Sequence, residues 1–413
     1  MRILSGQSAD RMVKRLSSRG TSLTTLEPRV RSIISNVRRN GDRALRRYAE
    51  QWDGLAKNQS LKVSEEEISA AWTTLPPDIR KSLRDATQNI RRFCEWQKPR
   101  NWTRTRRGIS LGQLAIPLDS VGCYVPGGRY PLVSTLLMTV IPAQVAGIEN
   151  IRVVSPRPST EVLAAAGMLG VREFYRVGGS QAIAALAYGT KTIPRVDKIV
   201  GPGNAYVTTA KKLVSFDCSI DFLAGPTEAV VLSESGNPKF IAADLVSQAE
   251  HDPDALSIFI TTRQTLAEAV ALNMQEATRE NSVARKSLQR QGAILLAASR
   301  EQARDWANTI APEHITLTRE DLPYIRNAGS IFVGDYSPQA AGDYASGPNH
   351  VLPTSGQARF RGGLSVLDFM KFITLQELTR DGLKQIGKTV ETLAQIEGLR
   401  AHAASISVRC ANA

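Results

Sequence analysis

The stretch Phe174-Tyr175-Arg176-Val177-Gly178-Gly179-Ser180-Gln181-Ala182-Ile183-Ala184-Ala185-Leu186-Ala187-Tyr188 decides the fold class. An aromatic and β-branched run, 174–177, breaks at a glycine pair and passes straight into a helical segment, 181–188. The same unit recurs on either side. A strand at 150–155 follows a helix from about 132 to 146, and a strand at 198–200 leads through Gly201-Pro202-Gly203-Asn204 into a helix ending at Val214. Beyond the turn Leu223-Ala224-Gly225-Pro226, strands are expected at 257–261, 293–296, 315–317 and 330–333, with helices between them. Strands alternating with helices of 10 to 15 residues argue βαβ units and a mostly parallel sheet. Two groups of such units are present, before and after that turn. Residues 1 to about 100 read as helical, with segments at 30–48, 65–72 and 77–97; Val30, Ile33, Ile34 and Val37 recur at helical spacing. From Asp368 the chain reads as helical again, and no internal repeat stands out.

A 413-residue chain has room for roughly two to three domains. Its apolar and charged fractions, 42% and 22%, are those of an ordinary globular protein. No apolar run approaches the ~18 residues of a transmembrane helix; the longest, 132–145, is broken by Ser134, Thr135, Thr139 and Pro142. No hydrophobic segment follows Arg2, so a cytoplasmic location and no membrane partner are expected. The net charge of +13 raises nucleic acid as a partner. The basic runs, such as Arg104-Thr105-Arg106-Arg107, carry no aromatic interleaving and match no binding module, so nucleic acid is not expected. Anionic substrates or cofactors are a better use for the charge. Cys94, Cys123, Cys218 and Cys410 form no CxxC pair and read as reduced thiols. Cys123 lies in a glycine-rich loop without a nearby histidine, so it reads as structural rather than nucleophilic.

Only four histidines occur, each in a short polar segment: His251, His314, His350 and His402. Imidazole is both the side chain that titrates near neutrality and the commonest metal ligand. Gln248 and His251 sit three apart near the end of a helix that starts at Pro238, where the macrodipole favours a cation. They read either as the start of a metal site, with Asp343 and a distant histidine completing four-coordinate zinc, or as an ordinary polar helix end. Glu313-His314 follows Pro312. As neighbours their side chains diverge, so they read as two separate centres, imidazole for a substrate proton and carboxylate for water, or as a surface pair. Glycine-rich loops after strands, 125–128, 177–181 and 200–204, could hold a pyrophosphate on backbone amides or be tight βα turns. None is a true G-x-G-x-x-G, since Tyr206 stands where the third glycine belongs.

In this order the segments resemble the histidinol dehydrogenase family, from about Arg29 to Arg409. The likeness rests on Tyr124-Val125-Pro126-Gly127-Gly128, Gln181-Ala182-Ile183-Ala184-Ala185-Leu186, Gly201-Pro202-Gly203-Asn204-Ala205, Ser247-Gln248-Ala249-Glu250-His251 and Ala311-Pro312-Glu313-His314. Gly342-Asp343-Tyr344, Gly347-Pro348-Asn349-His350-Val351-Leu352-Pro353 and the ending from Glu397 to His402 complete it. The resemblance implies an α/β fold of two incomplete Rossmann-like domains with helical N- and C-terminal extensions, in a domain-swapped homodimer. An N-terminal arm would span 1–20, the first domain 21–121 and 232–363, and the second, NAD-binding domain 122–231. A C-terminal helical tail, 364–413, would cross to the partner subunit.

It further implies oxidation of L-histidinol to L-histidine through L-histidinal, the last step of histidine biosynthesis, with two NAD used in turn and one Zn2+ per subunit. The zinc ligands would be Gln248, His251, Asp343 and His402. His314 would be the base, and Glu313 would activate water. Substrate would meet Thr227, Gln248, His251, His314, Asp343, His350, Glu397 and His402, with Glu397 reaching its amine. NAD would lie near Tyr124, Gln181 and Asn204. Thr227 replaces the family's usual serine, and Arg129-Tyr130 is a variant also seen in relatives that oxidise other small alcohols. The alternatives are therefore a zinc- and NAD-dependent dehydrogenase of another small primary alcohol, or a non-enzymatic basic nucleic-acid-binding or regulatory protein.

Overall fold

The computed structural model describes residues 1–20, 23–127 and 131–411. Arg129 and Tyr130 lie outside the described residues. In chain order the strands are β1 (Ile3–Ser5), β2 (Trp102–Arg106), β3 (Ile109–Pro117), β4 (Ser120–Tyr124), β5 (Asn150–Val154), β6 (Glu173–Tyr175) and β7 (Lys198–Val200). They continue with β8 (Ser219–Ile220), β9 (Glu228–Leu232), β10 (Leu256–Thr261), β11 (Ala293–Leu296), β12 (His314–Leu317), β13 (Ser330–Val333) and β14 (Met370–Leu378). The chain divides into two units, Met1–Gln97 with Asp119–Phe369, and Lys98–Leu118 with Met370–Ala413.

The first unit holds two wholly parallel sheets, ordered β6-β5-β4-β7-β8 and β1-β11-β10-β9-β12-β13. The turn at Leu223–Pro226 separates them along the chain. Leaving out β1, both follow one order: third, second, first, fourth and fifth strand. That duplication is absent from the residue pattern, because the two halves share topology rather than identical side chains. Strands covered by helices on both faces should be apolar throughout, and β4 and β9 are buried at every position. In β9, Val230, Val231 and Leu232 are each at most 2% exposed, worth about 1.5–3 kcal/mol apiece on folding. Gly122 in β4 is a packing requirement. A Cβ there would stand 2.8 Å from Leu186 Cδ1, so the helix Gly179–Tyr188 lies directly on the strand because residue 122 has no side chain.

Two readings of the termini are corrected. Ile3–Ser5 is a parallel edge strand on β11 rather than helix; three residues are too few to show a period, and their partner lies some 290 residues away. Met370–Leu378 is a nine-residue strand rather than helix. It pairs antiparallel with β3 along its whole length, and β3 pairs with β2 in the second unit's sheet. Its alternation of Phe372, Thr374 and Gln376 with Ile373, Leu375 and Glu377 is the strand period. The helices Arg380–Ile396 and Arg400–Ala411 follow in that unit. The helix containing Val30, Ile33, Ile34 and Val37 runs Glu27–Trp52, buries all four, and breaks its helical geometry at Gly41. Among the described residues no helix is long and apolar enough to cross a membrane.

Candidate active site

The site grows from the pairing of β9 with β12. Ala229 stands opposite His314, so Thr227-Glu228 and Glu313-His314 meet at the amino ends of two adjacent strands. Glu313 Oε2 accepts hydrogen bonds from Thr227 Oγ1 (2.7 Å) and Glu228 N (2.9 Å). His314 Nδ1 lies 3.2 Å from the Glu228 carbonyl oxygen and 3.6 Å from Glu313 Oε2. The two side chains therefore do not diverge into separate centres. The two donors at 227–228 draw the Glu313 carboxylate back beside the ring that follows it.

With Nδ1 donating to the Glu228 carbonyl, Nε2 is the open nitrogen. It is buried, has no aligned hydrogen-bond partner, and lies 3.3 Å from Asp343 Oδ1. Burial works against a charge on this ring, but the carboxylates of Glu313 and Asp343 outweigh it and push its pKa up to about 10. In this arrangement the ring is therefore held as an imidazolium, and it becomes a proton acceptor at Nε2 only once a cation on Asp343 takes up that carboxylate. Burial raises the pKa of Asp343, but its hydrogen bond to His314 and the nearby imidazoles bring the net shift below the ordinary range. His350 Nδ1 donates to the Asp343 carbonyl oxygen (2.7 Å), and burial lowers its pKa.

The helix Pro238–Ala249 brings the remaining donors. Asn237 caps it, Pro238 fits its first turn, and it runs back from the carboxyl end of β9 to finish beside that strand's amino end. Gln248, 2% exposed, occupies its last turn, and His251 stands just past its end. Gln248 Nε2 donates to Asp343 Oδ2 (3.1 Å), and its Oε1 lies 3.0 Å from Thr227 Oγ1. The single Thr227 proton already serves Glu313. Turning the amide end for end lets Nε2 donate to Thr227 and aims Oε1 at Asp343, leaving two oxygens face to face. That pairing fits a cation between them, with the His251 imidazole at the same cavity. Among the described residues no three His, Cys, Asp or Glu side chains stand together as a metal group; the set here includes a glutamine. Thr227, Gln248, His251, Glu313, His314, Asp343 and His350 all line one cavity of about 200 Å³. Glu397 and His402 belong to the second unit, where both are exposed.

A second cavity, about 330 Å³, lies at the carboxyl ends of β4 to β7 and brings Tyr124, Gln181 and Asn204 together with Asp53 and Arg157. Tyr124 Oη accepts from Gly179 N (3.1 Å), and burial pushes its pKa up to about 12. Asp53 Oδ2 accepts from Gly178 N (3.0 Å) and Gln181 Nε2 (3.1 Å). Asn204 caps the helix Ala205–Val214, accepting from Tyr206 N (3.0 Å) and Val207 N (3.2 Å). The 201–204 loop joins the cavities, since Pro202 lines the first and Asn204 the second.

Sequence reasoning missed Glu228, Asp53, Lys211 and Asp221. Each is a buried ionisable group. The available signal was a charge beside an apolar run, as in Glu228-Ala229-Val230-Val231-Leu232.

Two parallel sheets, one with a buried carboxylate–imidazole pair at its amino rim and one with a cavity at its carboxyl rim, make an α/β protein with the site of an enzyme. The family model for histidinol dehydrogenase matches residues 16–410. The histidinol dehydrogenase of Methanothermobacter thermautotrophicus is 49% identical over 396 residues, 92% of each chain. That of Methanosarcina mazei is 45% identical over 96% of this chain and 95% of its own. The crystal structure of histidinol dehydrogenase from Elizabethkingia anophelis superposes with a TM-score of 0.94 at 34% identity, covering 100% of this chain and 98% of that one. The chain belongs to the histidinol dehydrogenase family of oxidoreductases.

Proposed function

We propose that this protein oxidises L-histidinol through L-histidinal to L-histidine, the closing step of histidine biosynthesis, using NAD and zinc. The observation that carries the reading is the convergence of Gln248, His251 and Asp343 on the cavity that holds His314 and Glu313. An amide oxygen, an imidazole and a carboxylate are a zinc-type donor set that leaves room for a further ligand. His402 is the ligand we assign to that place. Zinc bound there would fix the imidazole and amino nitrogen of the substrate, a positioning role. His350, Glu397 and Thr227 complete the proposed substrate contacts.

The cavity at Tyr124, Gln181 and Asn204 supports NAD. It lies at the carboxyl rim of a parallel sheet where strand order reverses between β4 and β7, the usual nucleotide position in Rossmann-like sheets. NAD bound there would accept the hydride of each oxidation. His314 Nε2 takes the hydroxyl proton in the first oxidation. Glu313 then draws a proton from water as it attacks the aldehyde carbon, His314 returns its proton to the aldehyde oxygen, and the freed ring takes the hydroxyl proton of the resulting gem-diol in the second oxidation. Burial of both side chains excludes competing water.

We further propose a domain-swapped homodimer in which Glu397 and His402 complete the partner's site. Its support is the apolar surface of the second unit, where Phe372, Ile373, Leu375, Leu393, Ile396 and Leu399 are exposed. Three buried free thiols suit a cytoplasmic protein. The test is NADH release by the zinc-loaded protein given L-histidinol. Two NADH per histidine formed supports the reading. Stoichiometric zinc with no turnover of histidinol would overturn it in favour of another small alcohol.

A further inference from the structure

Glu228 carries no role in the reaction as proposed, yet it touches both reacting side chains and the segments that carry them. Its N–H donates to Glu313 Oε2 (2.9 Å), and its carbonyl oxygen faces His314 Nδ1 (3.2 Å). Its side chain turns the other way. Oε2 accepts from Glu313 N (3.3 Å), and Oε1 accepts from Ser355 N (2.8 Å). The carboxylate is 3% exposed at residue level and meets Arg19 through two parallel bonds, Nε to Oε1 (2.7 Å) and a terminal nitrogen to Oε2 (2.6 Å). The same guanidinium donates to the carbonyl oxygens of Leu16 and Ile310, the latter at 2.9 Å. Ile310 ends the helix Arg300–Ile310, and the left-handed Ala311 (φ 50°) turns the chain from there toward Glu313.

We propose that Glu228, pinned by Arg19, is the positioning residue for the Glu313 carboxylate, and that the N-terminal segment thereby sets the water-activating step. A buried ion pair is weak support for stability in itself, since apolar residues of like volume often serve as well. Two-point geometry at a guanidinium fork, by contrast, fixes orientation. The claim rests on the role assigned to Glu313. Because the side chain of Glu228 braces the Glu313 backbone, whereas His314 is held through the Glu228 main chain, its loss should fall on one oxidation more than the other.

The experiment measures the two oxidations separately, histidinol to aldehyde and aldehyde to acid, in Glu228→Gln, Arg19→Lys and Glu313→Gln. For Glu228→Gln the aldehyde step should slow on the order of tenfold or more, the usual scale for a misplaced group, while the alcohol step changes less than about threefold. Arg19→Lys, which keeps the charge but loses the fork, should show the same bias more weakly and carries the test if Glu228→Gln does not fold. Equal loss of both steps, or no loss in folded protein while Glu313→Gln is slow at the aldehyde step, overturns the positioning role. If Glu313→Gln itself spares the aldehyde step, the role of Glu313 falls, and this inference falls with it.

Discussion

Lys211→Met tests the joint between the two cavities. Lys211 and Asp221 are 2% and 4% exposed and form a buried ion pair. Lys211 Nζ also donates to the Gly201 carbonyl oxygen (2.9 Å), and Asp221 Oδ2 accepts from Gly201 N (2.8 Å). Both polar groups of one loop residue are thus clamped by the pair. Gly201 has φ +112°, and a Cβ there would stand 2.2 Å from the Tyr124 carbonyl oxygen, so the loop crosses the end of β4 with no clearance. Methionine matches the lysine stem in length but leaves the Asp221 charge buried among amide donors. Losing one partner of such a pair costs about 3–5 kcal/mol. Lys211→Met with Asp221→Asn removes the charge and keeps an acceptor for Gly201 N, so the double variant should recover ~2 kcal/mol relative to the sum of the singles. Urea unfolding followed by tryptophan fluorescence measures all three. In the singles the KM for NAD should rise with the loss of stability, because Asn204 moves with the loop. Additive costs, with a coupling below about 0.5 kcal/mol, would refute the clamp.

His314→Asn should lower kcat by at least about a hundredfold, within the range for loss of a general base, while zinc measured by equilibrium dialysis stays stoichiometric; loss of zinc would make His314 a ligand. Burial pushes the thiols of Cys94, Cys123 and Cys218 up to about 11, 12 and 12. An alkylating reagent at pH 8 should therefore label only Cys410 in the folded protein, as read by peptide mass spectrometry, and rapid labelling of Cys123 would contradict its burial. Asp244 has its pKa raised to about 6 by burial. The folded state then holds a proton that the unfolded state has released, so stability is lost as pH rises from about 4 to 6. Asp244→Asn should leave stability unchanged near pH 4 and raise it at pH 7.5, and an equal shift at both pH values would rule out that cause.

The parts of this molecule that were legible share a feature: their signal is local. Val30, Ile33, Ile34 and Val37 announce a buried helical stripe by spacing alone, and they are buried. The runs that became β5 to β7 and β10 to β13 were readable as short β-branched segments between helices, with glycine-rich turns marking the ends of β4, β6 and β7, whereas β8 and β9 were not read as strands. Gln248 and His251 could be placed on one helix end, yet nothing in their spacing said that Asp343 would meet them. Glu228 and Arg19, 209 residues apart, carry no local mark at all. A glutamate heading a strand looks like a solvated edge until its arginine is known. Likewise β14 is set by nine partners on β3, so its alternation gains meaning only from the pairing.

The two parallel sheets explain why one repeated topology can serve two chemistries. In a βαβ sheet the carboxyl rim collects helix N-termini and free amides, and the amino rim collects helix C-termini and free carbonyls. The first rim suits an anion and the second a cation. The β4–β8 sheet opens its carboxyl rim, where Tyr124, Gln181 and Asn204 surround the cavity assigned to the dinucleotide phosphates. The β9–β13 sheet keeps that rim occupied: the Glu234 carboxylate, just past β9, takes the Thr262 N–H (3.1 Å) and hydroxyl that follow β10. It opens the amino rim instead, where the helix Pro238–Ala249 delivers Gln248 and His251 at its negative end. That edge favours a cation on electrostatic grounds, which is where the proposed zinc and substrate amine would sit. The turn at Leu223–Pro226 carries the chain from one sheet to the other, and Ala224 and Gly225 line the catalytic cavity. On the proposed assignment the hydride donor sits at one rim and the acceptor at the other, joined by the 201–204 loop, with neither sheet departing from the shared strand order.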